Sequence, residues 1–312
     1  MRIVTLMPSG TEIVHALGLG RSLVGVSHDS DRQAEAVRHE VVTRAAEADG
    51  DDVTTAVTEG ATLRPGPGAG DPLASRIVID EMALAALRPD LVVAPAVRDV
   101  DAPVAGGLRE AVEALGDEVE LLVLDPTSVE GILHSISTVG AMTGAEAAGL
   151  RLVERLRGRL GRLERRVQRR RDQGRRPARV VVLESMEPPV AAGRWIPEQV
   201  RRAGGWELLG REGEPAAPAT WRAVRDVDPE TIVIAPRGRH LGETIAAWSG
   251  TPRPPEWEGI DAVRRGQVFA VEAAGYFGAG PRFVEGIALL AEILDPDGFV
   301  ETSPIGSWTP VD

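Results

Sequence analysis

Between Thr143 and Gly174 the apolar positions fall at Leu152, Val153, Leu156, Leu160, Leu163 and Val167. Steps of three and four residues put them on one face of an α-helix. Arginines and glutamates fill the other faces. Thr143 and Glu146 have capping-box spacing at the start, and Gly174, followed by Pro177, marks a stop. At 1.5 Å per residue such a helix spans roughly 45 Å. It lies near the middle of the chain with a strand-rich half on either side. The pattern therefore predicts a rigid helix, residues 143–174, joining an N-terminal lobe, residues 1–142, to a C-terminal lobe, residues 175–312.

In the first half, the β-branched run Arg2–Leu6 predicts a strand. Pro8, Ser9 and Gly10 read as a turn, with Thr11 capping a helix Glu12–Leu17. Leu23–Val26 predicts a second strand, which delivers His28, Asp29, Ser30 and Asp31 into a loop. Residues 32–76 are polar and rich in Gly and Pro, and Arg64–Gly70 reads as an irregular loop. Asp80 caps a helix through Leu87, and strand Leu91–Ala94 follows. Next come a helix Leu108–Leu115, a strand Glu120–Leu124 and a helix Val129–Met142. After the long helix the pattern restarts: strand Arg179–Glu184, a Pro-rich loop Glu187–Pro197, and a helix ending at Ala203–Gly204–Gly205. Strand Val268–Val271 and helix Phe283–Leu294 close the chain. The segments Leu84–Pro95 and Val224–Pro236 share one plan of helix end, Pro–acid turn, buried strand and Ala-Pro exit. Two versions of one βα unit follow, each with a mostly parallel sheet, which is an α/β fold.

Ligands of such sheets bind beyond the carboxyl ends of strands. Ser9, His28, Asp29, Arg98, Trp195, Arg237, Arg239, His240, Tyr276 and Phe277 fall in those loops. His28, Asp29 and Asp31 form the one compact His/carboxylate group, suited to a divalent metal or to a ligand's own metal; a metal-dependent enzyme built on them stays open. Trp195, Tyr276 and Phe277 are aromatics in Gly-rich loops, placed to stack on a large planar ligand. Arg98 and Arg237 suit carboxylates or phosphates. His15 and His134 fall in predicted helices and read as structural.

Bulk properties narrow the classes. The net charge of −12 gives nucleic-acid binding no electrostatic support. The arginine-rich helix face reads as solvated and laced with Glu154 and Glu164. Every Lys+Arg residue is arginine, and cysteine is absent, which removes disulfides and thiolate metal sites. The N-terminus enters a strand directly, so the protein as written is expected to be cytoplasmic, or periplasmic or extracellular if a leader was removed. No run reaches membrane-spanning length. Hydrolase, P-loop and HExxH motifs are missing, and a non-enzymatic monomer is expected.

The opening RIVTLMPSGTEIVHALGLGRSLVGVSHDSD resembles vitamin B12 (cobalamin)-binding proteins of the helical-backbone (class III) periplasmic binding protein family, the substrate-binding proteins of ABC transporters, in their leaderless branch. AAGRWIPEQVRRAGGWELLG, EAAGYFGAGPRFVEGIALLAEIL and the VVTR segment near Val41 are similar to the same family. The resemblance implies two Rossmann-like lobes joined by one long rigid α-helix. It implies a corrinoid held in the cleft as ligand, with no intrinsic cofactor. Trp195, Tyr276 and Phe277 would pack on its faces, and His28 and the arginines would meet its polar edge. A siderophore, haem or another metal chelate is the alternative ligand on the same fold. Relatives often carry cysteine where Ser30, Arg98, Asp101 and Arg237 stand, and the two arginines favour an anionic group. Import-competent relatives carry an outward glutamate on each lobe. Here Arg222 occupies the second position and Glu81 is only near the first, which puts docking on an importer in doubt.

Overall fold

A computed structural model describes residues 1–30, 39–45, 56–58, 76–96, 111–300 and 302–311. Two compact units emerge: Met1–Asp125 with Leu133–Val153, and Pro126–Ile132 with Glu154–Asp312. Asp31, the Arg64–Gly70 loop, Arg98, Asp101 and the start of the predicted helix Leu108–Leu115 lie outside the described residues.

The N-terminal unit contains, in order, β1 (Ile3–Thr5), α1 (Pro8–Ala16), β2 (Leu23–Val26), β3 (Glu40–Val41), β4 (Thr43–Ala45), β5 (Ala56–Thr58), β6 (Arg76–Ile79), α2 (Glu81–Leu87), β7 (Leu91–Pro95) and β8 (Glu120–Leu124). Helix α3 (Val129–Met142) and helix α4 (Glu146–Asp172) both run across the division between the units. The main sheet has the order β3-β2-β1-β7-β8, and every pair in it is parallel. The central strands β1 and β7 are buried along their whole length, as expected where both faces of a parallel sheet are covered. Val4, Leu6, Val92 and Ala94 pack there with Leu84 and Val112.

Three expectations need correction in this unit. Helix α1 begins at Pro8, not after it, with Met7 as its N-cap. Proline suits the first turn because its missing N–H has no helical partner there anyway. Thr11 is thereby an interior helix residue, and its hydroxyl points into a buried hydroxyl cluster. Second, strands not foreseen in the polar stretch that follows β2 are present, since β4, β6 and β5 form a three-stranded antiparallel sheet. Third, Thr143 does not cap α4. Its hydroxyl donates back to the carbonyls of Val139 and Gly140 at 2.7 and 3.3 Å, closing α3 instead. Gly144 turns the chain at φ 69°, and α4 starts only at Glu146. Gly140 and Gly149 let α3 and α4 cross closely, because a Cβ on Gly140 would meet the Gly149 Cα at 3.3 Å.

Helix α4 has 27 residues, about 40 Å at the standard rise. Leu152, Val153, Leu156, Leu160 and Val167 are buried as the periodicity predicts. The end is also as predicted. Gly174 sits at φ 90°; its N–H donates to Arg171 O at 2.9 Å, and the Arg175 N–H to Arg170 O at 3.0 Å. This pair of bonds is the Schellman closure.

The C-terminal unit continues with β9 (Ala178–Met186), β10 (Pro189–Ala191), α5 (Ile196–Arg202), β11 (Gly205–Glu207), β12 (Ala217–Pro218), α6 (Trp221–Val227), β13 (Thr231–Ile234), α7 (Leu241–Gly250), α8 (Asp261–Arg264), β14 (Val268–Val271), α9 (Phe283–Leu294) and β15 (Trp308–Pro310). The Pro-rich segment after β9 is not all loop: β10 folds back antiparallel on the end of β9. Strands β11, β9, β13 and β14 run parallel in that order. The N-terminal unit has β2, β1, β7 and β8 in the same arrangement, so the repeat read from Leu84–Pro95 and Val224–Pro236 is a repeat of topology. Its caps repeat too. Asp80 accepts from Ala83 N at 2.9 Å, and Thr220 from Ala223 N at 3.1 Å. Arg88 and Asp228 end α2 and α6 with the same left-handed φ of 44°.

Glu207, at the end of β11, is buried and accepts the N–H groups of Val182, Leu209 and Gly210 at 3.0, 3.1 and 3.0 Å. Burial pushes its carboxyl up from an ordinary 4.5 to about 7, against the pull of those N–H donors. The native state therefore holds this proton when the unfolded chain has lost it. Stability should fall as pH rises from about 4.5 through 7. Urea unfolding at pH 5 and pH 7.5 checks this: Glu207→Gln should flatten the fall by up to about 3 kcal/mol, and an unchanged pH dependence would be the contrary result.

Candidate functional site

Strands β9, β13 and β14 are parallel neighbours, so their carboxyl ends lie along one edge of the C-terminal sheet. Glu184 stands near the end of β9, almost fully buried. One of its oxygens accepts the Gly193 N–H at 3.2 Å, and the other accepts from Arg237 Nη2 at 2.8 Å. A buried carboxylate is costly unless it is paired and hydrogen-bonded, so these two contacts tie the segment after β10 and the loop after β13 to the end of β9. Gly193 has no room for a side chain, since a Cβ would lie 2.3 Å from the Ala216 nitrogen. Arg194 follows at φ 56°, a left-handed conformation uncommon outside glycine. Its carbonyl accepts the Gly213 N–H at 2.8 Å. Trp195 follows directly as the N-cap of α5.

The loop after β14 is tied to both neighbours. Glu272 Oε1 meets His240 Nδ1 at 2.8 Å, and Oε2 accepts the Leu241 N–H at 2.9 Å. Arg239 O accepts from the N–H groups of Ala273 and Ala274 at 3.0 and 2.9 Å. Trp195 Nε1 donates to Phe277 O at 2.9 Å. Gln199 donates from Nε2 to the carbonyls of Tyr276 and Phe283 at 3.0 and 2.9 Å. The structure thus brings Trp195, Arg237, Tyr276 and Phe277 onto one cross-linked edge. Sequence reasoning missed Glu184, Arg194, Gln199 and Glu272 as parts of it. A carboxylate closing each apolar strand run, VVVLE and VFAVE, was the available signal for two of them.

The aromatics are not the exposed platforms expected. Tyr276 and Phe277 are only 3% and 5% exposed, and the Arg282 guanidinium lies 4.4 Å from the Tyr276 ring centroid. Only Trp195 is half-buried. Tyr276 and Phe277 shape the edge from beneath; the groups at its surface are Trp195, Arg237, which is 32% exposed, and His240, which is 42% exposed.

In the N-terminal unit, β1 and β2 likewise end on one edge. His28 is held by Thr43, whose Oγ1 accepts the His28 backbone N–H and meets Nδ1, both at 2.9 Å. Nε2 faces Asp29 Oδ1 at 3.5 Å. Ser9 is buried, and its Oγ has no hydrogen-bond partner among the described residues. Ser30 is fully buried in a hydroxyl chain: Thr5 to Thr11 at 2.6 Å, Thr11 to Ser30 at 3.0 Å, Ser27 to Ser30 at 2.7 Å. It is interior structure rather than a wall of the site. Among the described residues no three His or carboxylate groups gather as a metal cluster.

Comparison with known proteins extends over nearly the whole chain. The family profile described as periplasmic binding protein matches residues 3–274. A curated relative, the uncharacterized ABC transporter substrate-binding lipoprotein YvrC of Bacillus subtilis, is 24% identical over 306 residues, 96% of this chain and 82% of its own length. A periplasmic haem-binding protein from Pseudomonas aeruginosa superposes with a TM-score of 0.70 at 20% identity, covering 100% of this chain and 95% of that one. The periplasmic vitamin B12-binding protein BtuF of Vibrio cholerae gives 0.66 at 20% identity, covering 95% and 96%. At these identities the two solved structures share the fold with this chain.

Because Tyr276 and Phe277 are buried, replacing either by alanine should cost roughly 3–5 kcal/mol of stability. Trp195→Phe, which loses one hydrogen bond but little volume, should cost about 1 kcal/mol. Thermal or urea midpoints of the three variants give the ranking. Equal midpoints for Tyr276→Ala and wild type would place that ring at the surface after all.

Proposed function

The chain belongs to the periplasmic binding protein family, and on that premise we propose that it is a non-catalytic substrate-binding protein of an ABC transporter whose ligand is cobalamin or a related corrinoid. The observation that carries the ligand class is the C-terminal sheet edge. A guanidinium fixed by a buried acid, Arg237 on Glu184, stands on the same cross-tied edge as the Trp195 indole. An indole face suits a large planar ring, and an oriented guanidinium suits an anionic group at its margin. A corrinoid with its nucleotide loop offers both, the anion being a phosphate. Ser9, His28, Asp29 and Arg98 are the further ligand-binding residues of this proposal, with Arg98, outside the described residues, proposed to meet an anionic group.

A haem or another metal chelate is the second reading, and His28 favours it. Thr43 engages Nδ1, which leaves Nε2, 3.5 Å from Asp29 Oδ1, as the nitrogen that would meet a ligand's metal. Working in such a system, the protein would act outside the cytoplasmic membrane, in keeping with the family's description as periplasmic, and not in the cytoplasm as the N-terminal sequence led one to expect. Importer docking follows from the same assignment. The equivalent first turns of α2 and α6 carry Glu81 and Arg222, both exposed. The two units would thus offer an importer opposite charges.

Titration of the purified protein with cyanocobalamin, haemin and an iron(III) chelate, followed by gel filtration and absorbance, tests the proposal. The expected result is retained cobalamin colour. Arg237→Ala should weaken cobalamin binding about tenfold, weaken it less for a corrinoid lacking the phosphate loop, and flatten the salt dependence. Retention of haemin alone selects the second reading, and retention of none of the three sinks both.

A further inference from the structure

On α4, Arg162, Arg165, Arg166 and Arg169 stand at i, i+3, i+4 and i+7, the spacing that puts four side chains on one helix face. Together with Ala288 of α9 and Thr302 they line a groove of about 440 Å³, wholly within the C-terminal unit. The sequence reads this face as solvated and laced with Glu154 and Glu164. Glu164 instead accepts from Arg202 of α5. Arg157 is paired with Glu130, and Arg159 with Glu285 at 2.8 Å. Arg162, Arg165 and Arg169 have no hydrogen-bond or ion-pair partner among the described residues, while Arg166 lies with its guanidinium 4.9 Å from the Phe299 ring centroid.

Folding does not need this arrangement. Like charges three and four residues apart on a helix repel and destabilise it. Two nearby carboxylates are directed elsewhere: Glu285 accepts from Arg159 through Oε1, its Oε2 being buried without a hydrogen-bond partner among the described residues, and Glu292 accepts from the backbone and hydroxyl groups of Thr302 and Ser303. Helix α4 is itself held without them, through Arg170, which donates to Asp295 at 2.6 and 2.9 Å. Five arginines thus line one concavity, and of these Arg159 alone is ion-paired among the described residues, in a chain whose net charge is −12. Guanidinium groups bind oxyanions through paired N–H donors, and successive turns of α4 repeat them every 5.4 Å or so.

We propose that this arginine groove on α4 is a binding site for a multiply charged phosphate ligand, independent of the edge assigned to the corrinoid. Linked soluble phosphates and clustered phospholipid headgroups share that chemistry. Two probes separate them: sodium tripolyphosphate, followed by calorimetry at low ionic strength, and sedimentation with phosphatidylglycerol vesicles against phosphatidylcholine vesicles. The variant is Arg162→Gln/Arg165→Gln/Arg169→Gln. Its control, Arg157→Gln/Arg201→Gln/Arg225→Gln, has the same net charge but loses arginines that are paired elsewhere. Binding to at least one probe is expected, weakened at least about tenfold in the groove variant with a shallower salt dependence, and held near wild type in the control. Binding of tripolyphosphate identifies a soluble ligand; binding of anionic vesicles alone identifies headgroups. No binding to either probe, or equal losses in variant and control, overturns the proposal. If the triple variant fails to fold, Arg162→Gln alone should still weaken binding about twofold to threefold, and no change would count against the site.

Discussion

A carboxylate taken out of water has to be met by donors, and Glu184 shows how far that one requirement reaches. It sits near the end of the central strand β9, almost without solvent contact. Its two oxygens are met by the Gly193 N–H and the Arg237 guanidinium. The first contact draws in the segment that carries Arg194 and Trp195. The second draws in the loop after β13, which through Arg239 and His240 holds the loop after β14. A row of independent loops becomes one cross-linked edge. Its exposed groups are oriented before any ligand arrives, which lowers the ordering cost of binding.

Much of the scaffold was legible in the sequence, for local reasons. Strands such as Leu91–Pro95 and Glu120–Leu124 announce themselves as apolar runs between turn residues. The Asp80 cap and the Gly174 stop depend only on residues a few positions away. The duplicated plan could be read because both copies keep the Pro–acid turn, and the two sheets share their central strand order. The errors came where a side chain had two local options. Thr143 could cap α4 or close α3, and spacing alone does not decide between them. Thr11 looked like a cap until Pro8 took the first helical turn.

The candidate site was only half legible. Residue type and strand-end position picked out Trp195 and Arg237. They could not tell that Tyr276 and Phe277 face inward, because burial of a Gly-rich loop is set by what it packs on. Nor could they show that Glu184 and Glu272 organise the edge, since each acid's partners lie dozens of residues away. Helix α4 poses the same limit in reverse. Its apolar stripe was read correctly, whereas the fate of Glu164 depended on Arg202, a residue of another helix.

Hydrogen–deuterium exchange of the protein with and without bound cyanocobalamin tests the central claim most directly, namely that the ligand is met at the sheet edge organised by Glu184. The account predicts slowed exchange concentrated in peptides covering residues 193–199, 236–241 and 272–277, the three segments that this network joins. Ligand-bound protein whose exchange in those three segments matches that of the free protein would contradict it.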